Sequence, residues 1–324
     1  MDFTPRDAFA SPRFAQVATF MRLPQSRDLA TMDTAIVGIP FDGGTSYRPG
    51  TRFGPREIRN QSSLLRPYNP AVKALPFVTR RVADYGDVDV APVSIEKTYA
   101  LIEAEIARIL AADVLPICVG GDHSISLPIL REVAKRHGPV ALIHFDAHCD
   151  TWDQYFGGKY FHGTPFRRAV EEGLIDPRRT IHIGIRGSLY AESDFDFQKE
   201  HGMEVIPIGD VKERGIGYVA ERLRRLKGGK AYVSFDIDAV DPAFAPGTGT
   251  PEVGGLTSFD AVSLVRLLAG FHTVGFDLVE VSPLYDGPGQ ITALLAANLI
   301  YEFLCTLPKR GERKEKRRKK ARAS

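Results

Sequence analysis

The sequence predicts one three-layer α/β/α domain built on a mostly parallel central sheet. Short apolar runs rich in β-branched residues recur along the chain at strand length. Segments with the apolar spacing of helices separate several of them. Loops dense in glycine and proline follow the runs where strands would end. Alternation of this kind argues for parallel strands covered on both faces, and no internal repeat interrupts it.

Residues 1–30 scatter Pro5, Pro12 and Pro24 among polar and aromatic residues. They read as an N-terminal arm without regular structure, of a kind that packs on a neighbouring subunit. Residues 34–39 (TAIVGI) form the first buried strand and run into 40–55, a loop too rich in Gly and Pro for a helix or strand interior. That loop is a structural turn or part of a ligand crevice, since loops after strand C-termini form the crevice in open parallel sheets.

A short strand at 82–85 precedes a helix capped by Ser94 and reaching about 111, whose Ile95, Tyr99, Ile102, Ile106 and Ile109 share one face. A strand from Leu115, a helix over 126–137 and a strand from Val140 make a strand-helix-strand unit with parallel strands. Strands ending at Ile185 and near Ile206 come before one beginning at Ala231. A helix capped at Ser258 and ending at Gly270, a strand over 273–281 and a helix over 291–304 close a domain spanning 31–307. Residues 308–324 form a basic tail whose composition is that of disordered segments.

A chain of 324 residues with 44% hydrophobic and 25% charged content has the composition of a folded domain, not a disordered one. Cys118, Cys149 and Cys305 make no even framework and no CxxC pair, which fits a reducing compartment. No apolar run reaches membrane-spanning length, and the N-terminus lacks a basic region followed by an apolar core, so a cytoplasmic protein is expected. The net charge of +2 hides an asymmetry: ten Lys/Arg face two Glu from Lys309 onward, leaving 32 basic and 38 acidic residues before it. An acidic body suits a cationic substrate. No aromatic residue interleaves the tail's charges, which argues against a nucleic-acid role.

Function is concentrated at the ends of three strands. Val140-Ala-Leu-Ile-His-Phe145 is an apolar run that continues into Asp146-Ala-His-Cys-Asp150, placing Asp146, His148 and Asp150 on one side of an extended segment. Ala231-Tyr-Val-Ser-Phe-Asp-Ile-Asp238 repeats the design with Asp236 and Asp238, followed by Asp241-Pro242. Leu115-Pro-Ile-Cys-Val-Gly-Gly-Asp-His-Ser124 delivers Asp122 and His123 after a glycine pair. Carboxylates and imidazoles gathered this way are costly to bury unless a cation compensates them, and oxygen-rich donors with two imidazoles suit Mn²⁺. Each residue also has a plainer reading: a packed core histidine for His123 or His148, a turn former for Asp241, a holder of backbone groups for Asp122. Gly247 and Gly249 resemble a phosphate-binding pair, but no Lys-Ser/Thr follows.

With these motifs on the page, the chain resembles the ureohydrolase (arginase/agmatinase) family. Gly120-Gly-Asp-His-Ser124, Asp146-Ala-His-Cys-Asp150 and Ser234-Phe-Asp-Ile-Asp-Ala-Val-Asp-Pro242 carry the likeness, collinear from about Thr34 to about Leu304. Gly44-Thr-Ser-Tyr-Arg-Pro-Gly50, His162-Gly-Thr-Pro-Phe166 and Ala245-Pro-Gly-Thr-Gly-Thr-Pro-Glu252 favour the agmatinase-like branch. Cys149 is a departure that should point away from the ligands.

The resemblance implies an arginase-like fold, a homotrimer or homohexamer, and two Mn²⁺ per subunit. One ion would take His123, Asp146, Asp150 and Asp236, the other His148, Asp146, Asp236 and Asp238. The implied reaction is hydrolysis of a guanidino compound to urea and an amine. His162 is the implied proton shuttle, Asp238 a possible relay, and Glu280 the acceptor for the guanidinium nitrogens. A non-catalytic metal-stabilised scaffold and a formimino or amidino hydrolase are the competing readings.

The substrate's far end falls to two loops, 45–52 and 151–160. Inward-facing Asp153 would favour the ammonium of agmatine; inward-facing Arg48 or Lys159 would favour the carboxylate of 3-guanidinopropionate or 4-guanidinobutyrate. Tyr155 is a further candidate contact. The resemblance puts agmatine narrowly ahead, while the cation-rich first loop argues for an acid.

Overall fold

The computed structural model of the chain describes residues 2–309. The expected disorder of the tail beyond them lies outside the described residues.

Eight strands form one sheet: β1 Thr34–Ile39, β2 Val82–Asp87, β3 Leu115–Gly120, β4 Val140–Phe145, β5 Ile175–Ile185, β6 Glu204–Pro207, β7 Lys230–Asp236 and β8 His272–Val279. Their spatial order is β2-β1-β3-β8-β7-β4-β5-β6, and every pairing is parallel. Strands β3 and β4 are parallel as expected, but β8 and β7 lie between them. Sequence proximity suggested neighbours; insertion of the two later strands places the three ligand-bearing strands β3, β7 and β4 around the sheet's centre.

Nine helices accompany the sheet among the described residues: α1 Gly54–Ser62, α2 Pro76–Thr79, α3 Ile95–Ala111, α4 Ser126–His137, α5 Pro165–Glu171, α6 Asp196–His201, α7 Ile208–Leu223, α8 Ser258–Arg266 and α9 Ile291–Thr306. Apolar side chains of α1, α7, α8 and α9 join Ile143, Phe145, Val233, Phe235 and Phe276 in one core. Those of α3, α4 and α5 join Val37, Cys118, Leu142 and Tyr232 in the other. Each strand thus sends alternate residues to opposite cores, as the pleat requires.

Local sequence explains most boundaries. The Ser94 hydroxyl accepts the Lys97 N–H at 3.3 Å and starts α3. The cap of α8 is Thr257 rather than Ser258: Thr257 and Asp260 bond each other's backbone N–H in a capping box, and the helix ends at Arg266, short of Gly270. Helix α7 escaped the sequence reading because Gly209, Gly215 and Gly217 break its pattern; Gly215 adopts φ +76° and kinks it. In the N-terminal segment Phe20, Met21 and Leu23 enter the main core, and the Phe20 N–H donates to Asp84 at 2.7 Å.

Candidate metal centre and active-site cavity

The C-terminal ends of β3, β4 and β7 turn sharply, and each turn is built by the chemistry it presents. Asp122 accepts the N–H of Ser124 at 2.9 Å and of Gly44 at 2.7 Å, bending the chain so that His123 leaves β3 pointing inward. Asp122 is therefore a backbone holder. Asp236 accepts the Asp238 N–H at 2.8 Å, and Asp146 accepts the His148 N–H at 2.6 Å. Asp150 holds φ +52°, a left-handed geometry that Asp tolerates.

These turns converge. Nδ1 of His123 lies 3.2 Å from Asp146 Oδ2, 2.8 Å from Asp150 Oδ2 and 3.2 Å from Asp236 Oδ2. Nδ1 of His148 lies 3.3 Å from Asp146 Oδ1 and 3.2 Å from Asp238 Oδ2. The two oxygens of Asp146 thus face the two histidines separately. All but His148 are buried.

Burial and close packing of like charges set the electrostatics of the cluster. Burial, then the charges of Asp238 and Asp146, pushes Asp236 far above the carboxylate range. Asp238 is pushed up to about 6 by burial and by Asp146. Burial opposes charge on His123 and His148, but the surrounding carboxylates outweigh it and raise both. Nδ1 of His123 is fully buried and makes no hydrogen bond, although three carboxylates surround it. An imidazole nitrogen aimed at three oxygens, with its Nε2 2.7 Å from the Ser234 hydroxyl, fits a metal ligand held by an outer partner. Four carboxylates and two imidazoles fit a hard or borderline divalent ion.

Beside the cluster opens a cavity of about 410 Å³, lined in part by Arg48, His148, Trp152, Tyr155, His162 and Glu252. His162 is buried: its Nε2 lies 2.7 Å from the Ser46 hydroxyl and its Nδ1 3.1 Å from Glu280 Oε1. Burial opposes charge on this imidazole, but Glu280 raises it overall. Glu280 follows β8 at φ +65°, its N–H donating to Gly121 at 2.9 Å. Its Oε1 accepts the His123 N–H, while Oε2 is buried without a partner, 3.9 Å from where a Cβ at cavity-lining Gly249 would stand.

The two mouth loops behave differently. Arg48 lines the cavity, its guanidinium over the rings of Tyr47 and Tyr285 and without a carboxylate partner among the described residues. Asp153 does not line it; its carboxylate is half-exposed and accepts from Arg168 at 2.7 Å. Lys159 is exposed outside the cavity, whereas Tyr155 lines it. Asp241 is a turn former, accepting the N–H groups of Ala243 and Gly255, each at 2.9 Å.

Sequence reasoning missed His144, His182 and Asp277, and gave Ser234 no role. The available signal was a polar residue within an apolar stretch of each strand: His144 in VALIHF, His182 in IHIGI, Ser234 in AYVSF and Asp277 in VGFDLV.

Clustered carboxylates and imidazoles at the C-terminal ends of central parallel strands, a partnerless carboxylate oxygen and a histidine facing one cavity suit a metal-assisted hydrolase. Residues 32–306 match the arginase family, and the chain belongs to it, in its agmatinase-like branch. It is a hydrolase acting on the C–N bonds of amidines. It is 50% identical to a guanidinobutyrase of Pseudomonas aeruginosa, over 92% of this chain and 94% of the relative. It is 47% identical to a mitochondrial agmatinase of Gallus gallus, over 90% and 86% respectively. The solved structure of proclavaminate amidino hydrolase from Streptomyces clavuligerus superposes with a TM-score of 0.88 at 43% identity, covering 91% of this chain and 98% of that one. No helix among the described residues is long and apolar enough to cross a membrane.

Proposed function

We propose that the protein is a two-ion manganese enzyme that hydrolyses a guanidino acid to urea and the corresponding amino acid. The observation that carries the substrate class is the placement of Arg48 in the cavity with no carboxylate of its own, while Asp153 is spent on Arg168. A guanidinium fork suits a carboxylate bidentately. Agmatine would bring a second cation to that cavity wall instead.

His123, Asp146, Asp150 and Asp236 would hold one ion, and His148, Asp146, Asp236 and Asp238 the other, in keeping with the distances around the two histidines. Such a pair of ions makes water nucleophilic near neutral pH. Arg48 holds the substrate's carboxylate at the mouth. Glu280 Oε2 accepts a guanidinium N–H and orients the carbon toward the metal ligands. His162, held between Ser46 and Glu280, keeps the proton that the departing amine needs. Water adds to the guanidinium carbon, the C–N bond to the substrate chain breaks, and urea and a protonated amine leave. Convergence of all six ligands with Glu280 in place supports catalysis over a scaffold role.

The test is urea release by Mn²⁺-loaded protein on 3-guanidinopropionate, 4-guanidinobutyrate, agmatine and arginine. A guanidino acid should exceed agmatine in kcat/KM by about tenfold or more, about 1.4 kcal/mol. A preference for agmatine would overturn the acid assignment, and absence of urea from every substrate would overturn the reaction class.

A further inference from the structure

One layer beneath the ligands, a row of polar side chains crosses the sheet in register. His182 on β5 stands opposite His144 on β4, His144 opposite Ser234 on β7, and Ser234 opposite Asp277 on β8. His144 and Ser234 each lie two residues before a ligand, Asp146 and Asp236, so the pleat sends them to the same face. All four are fully buried. Ser234 and Asp277 serve His123: Ser234 donates to Asp277 and lies 2.7 Å from His123 Nε2. The two histidines serve Asp146.

Nε2 of His144 lies 2.8 Å from Asp146 Oδ2, and Nδ1 of His144 lies 2.8 Å from Nδ1 of His182. Those distances place the hydrogens. An ionised carboxylate only accepts, so His144 Nε2 carries the hydrogen between them. A neutral His144 then has a bare Nδ1, which requires a donor, and His182 Nδ1–H stands there. His182 Nε2 is left bare, and that atom is buried without any partner. The Phe166 ring lies 4.4 Å from the His144 ring and 6.3 Å from that of His182, so neither imidazole has room to swing away. This also gives Phe166, the last residue of the His162 motif, a task.

We propose that His182 is a positioning residue: its Nδ1–H holds His144 in the tautomer that presents Nε2–H to Asp146, the carboxylate between the two ion sites, and so sets how tightly the ions are held. The inference rests on the two-ion reading above. It concerns a side chain three groups removed from any metal, reached through His144 and Asp146. Groups that hydrogen-bond a metal ligand directly change metal affinity by about 10- to 100-fold when removed; His182 acts one hydrogen bond further out, through His144, so the low end of that range is expected.

Two variants separate the hydrogen bond from packing: Asn is smaller than His but keeps a donor, and Leu is close to His in size but has none. In His182→Asn the amide nitrogen stands close to where Nδ1 stood and still donates; in His182→Leu nothing donates. Mn²⁺ titration of metal-free protein should show near-unchanged affinity in His182→Asn and about tenfold weaker binding in His182→Leu. The electron paramagnetic resonance signal of the coupled ion pair should be retained in the former and lost at limiting Mn²⁺ in the latter. Equal affinity in wild type, Asn and Leu variants would overturn the proposal, as would equal weakening in both variants. Should His182→Leu fail to fold, His144→Gln/His182→Leu decides, because the Gln amide donates to Asp146 with no tautomer to hold. Recovery of folded, Mn²⁺-binding protein supports the inference and failure to recover overturns it. Wild-type protein that holds no Mn²⁺ would overturn the two-ion reading itself, and this inference with it.

Discussion

Oε1 of Glu280 lies 3.1 Å from His162 Nδ1 and also accepts the backbone N–H of His123, so one carboxylate links the proposed proton carrier to a metal-ligand segment. Its second oxygen is buried without a hydrogen-bond partner among the described residues. Glu280→Gln keeps the size but offers an amide where a charged acceptor is needed. We expect kcat/KM to fall about 100-fold or more, at least about 2.7 kcal/mol, with Mn²⁺ content unchanged by elemental analysis. Near-wild-type turnover would remove Glu280 from the substrate's binding site.

Arg48→Ala tests the mouth of the cavity. The guanidinium has only the Tyr47 and Tyr285 rings as partners among the described residues, so its removal costs the fold little. The preference for a guanidino acid over agmatine should shrink by about tenfold or more, a loss of about 1.4 kcal/mol in discrimination. An unchanged ratio of specificity constants would show that another group reads the carboxylate.

Asp153→Asn is the control for the same question. Its carboxylate pairs with Arg168 outside the cavity and is half-exposed. Arg168 is buried but keeps Glu171 as a second partner at 2.9 Å, so melting temperature should fall only modestly while substrate preference stays close to wild type. A selective loss of activity on agmatine would return Asp153 to the site.

Asp238→Asn should abolish urea release while circular dichroism keeps its native form. Asp238 Oδ2 lies 3.2 Å from His148 Nδ1, and its other oxygen accepts the Ala147 N–H at 3.1 Å, so the variant weakens one ion site and leaves the other. Full turnover with two ions bound would mean that the metal assignment is wrong.

The metal-free protein should lose stability as pH rises. Asp236 is held far above its ordinary 3.8, and Asp238 is pushed up to about 6, in each case by burial first and neighbouring carboxylates second. His123 and His148 are raised above 6.5 because their carboxylates outweigh burial. The folded state therefore keeps protons that the unfolded chain releases, from about pH 4 for the acids and from about pH 6.5 for the histidines. Stability falls wherever the folded state binds more protons. Asp146 is lowered instead, but its contribution is complete above its unfolded value of 3.8 and does not vary in this range, while His182, lowered by burial, works the other way near pH 6.5 and is outweighed by the raised groups. Melting of metal-free protein from about pH 5 to about pH 8 should decline, and the rise on adding Mn²⁺ should grow, since ions displace those protons. A metal-induced shift that is largest at the acid end would contradict the cluster.

The sequence by itself determined which strands carry the chemistry and which residues stand at their ends. Asp146, His148 and Asp150 lie at alternate positions after an apolar run, and no tertiary knowledge was needed to see that such a segment gathers three side chains of metal-binding type. The Ser94 cap of α3 and the apolar face of that helix were legible for the same reason: they are short-range patterns in which neighbours along the chain are neighbours in space.

Only the tertiary structure decided what lies across from what. The order β3-β8-β7-β4 brings His123, Asp236 and Asp146 together, and loop closures joining distant segments leave no local trace that would show it. Arg48 and Asp153 looked equivalent as mouth residues until Arg168, 15 positions beyond Asp153, drew that carboxylate away from the cavity. His182 read as an ordinary strand residue because its meaning comes from register. Opposite His144 it completes a hydrogen-bonded path to Asp146, and one residue up or down the strand it would face the other core.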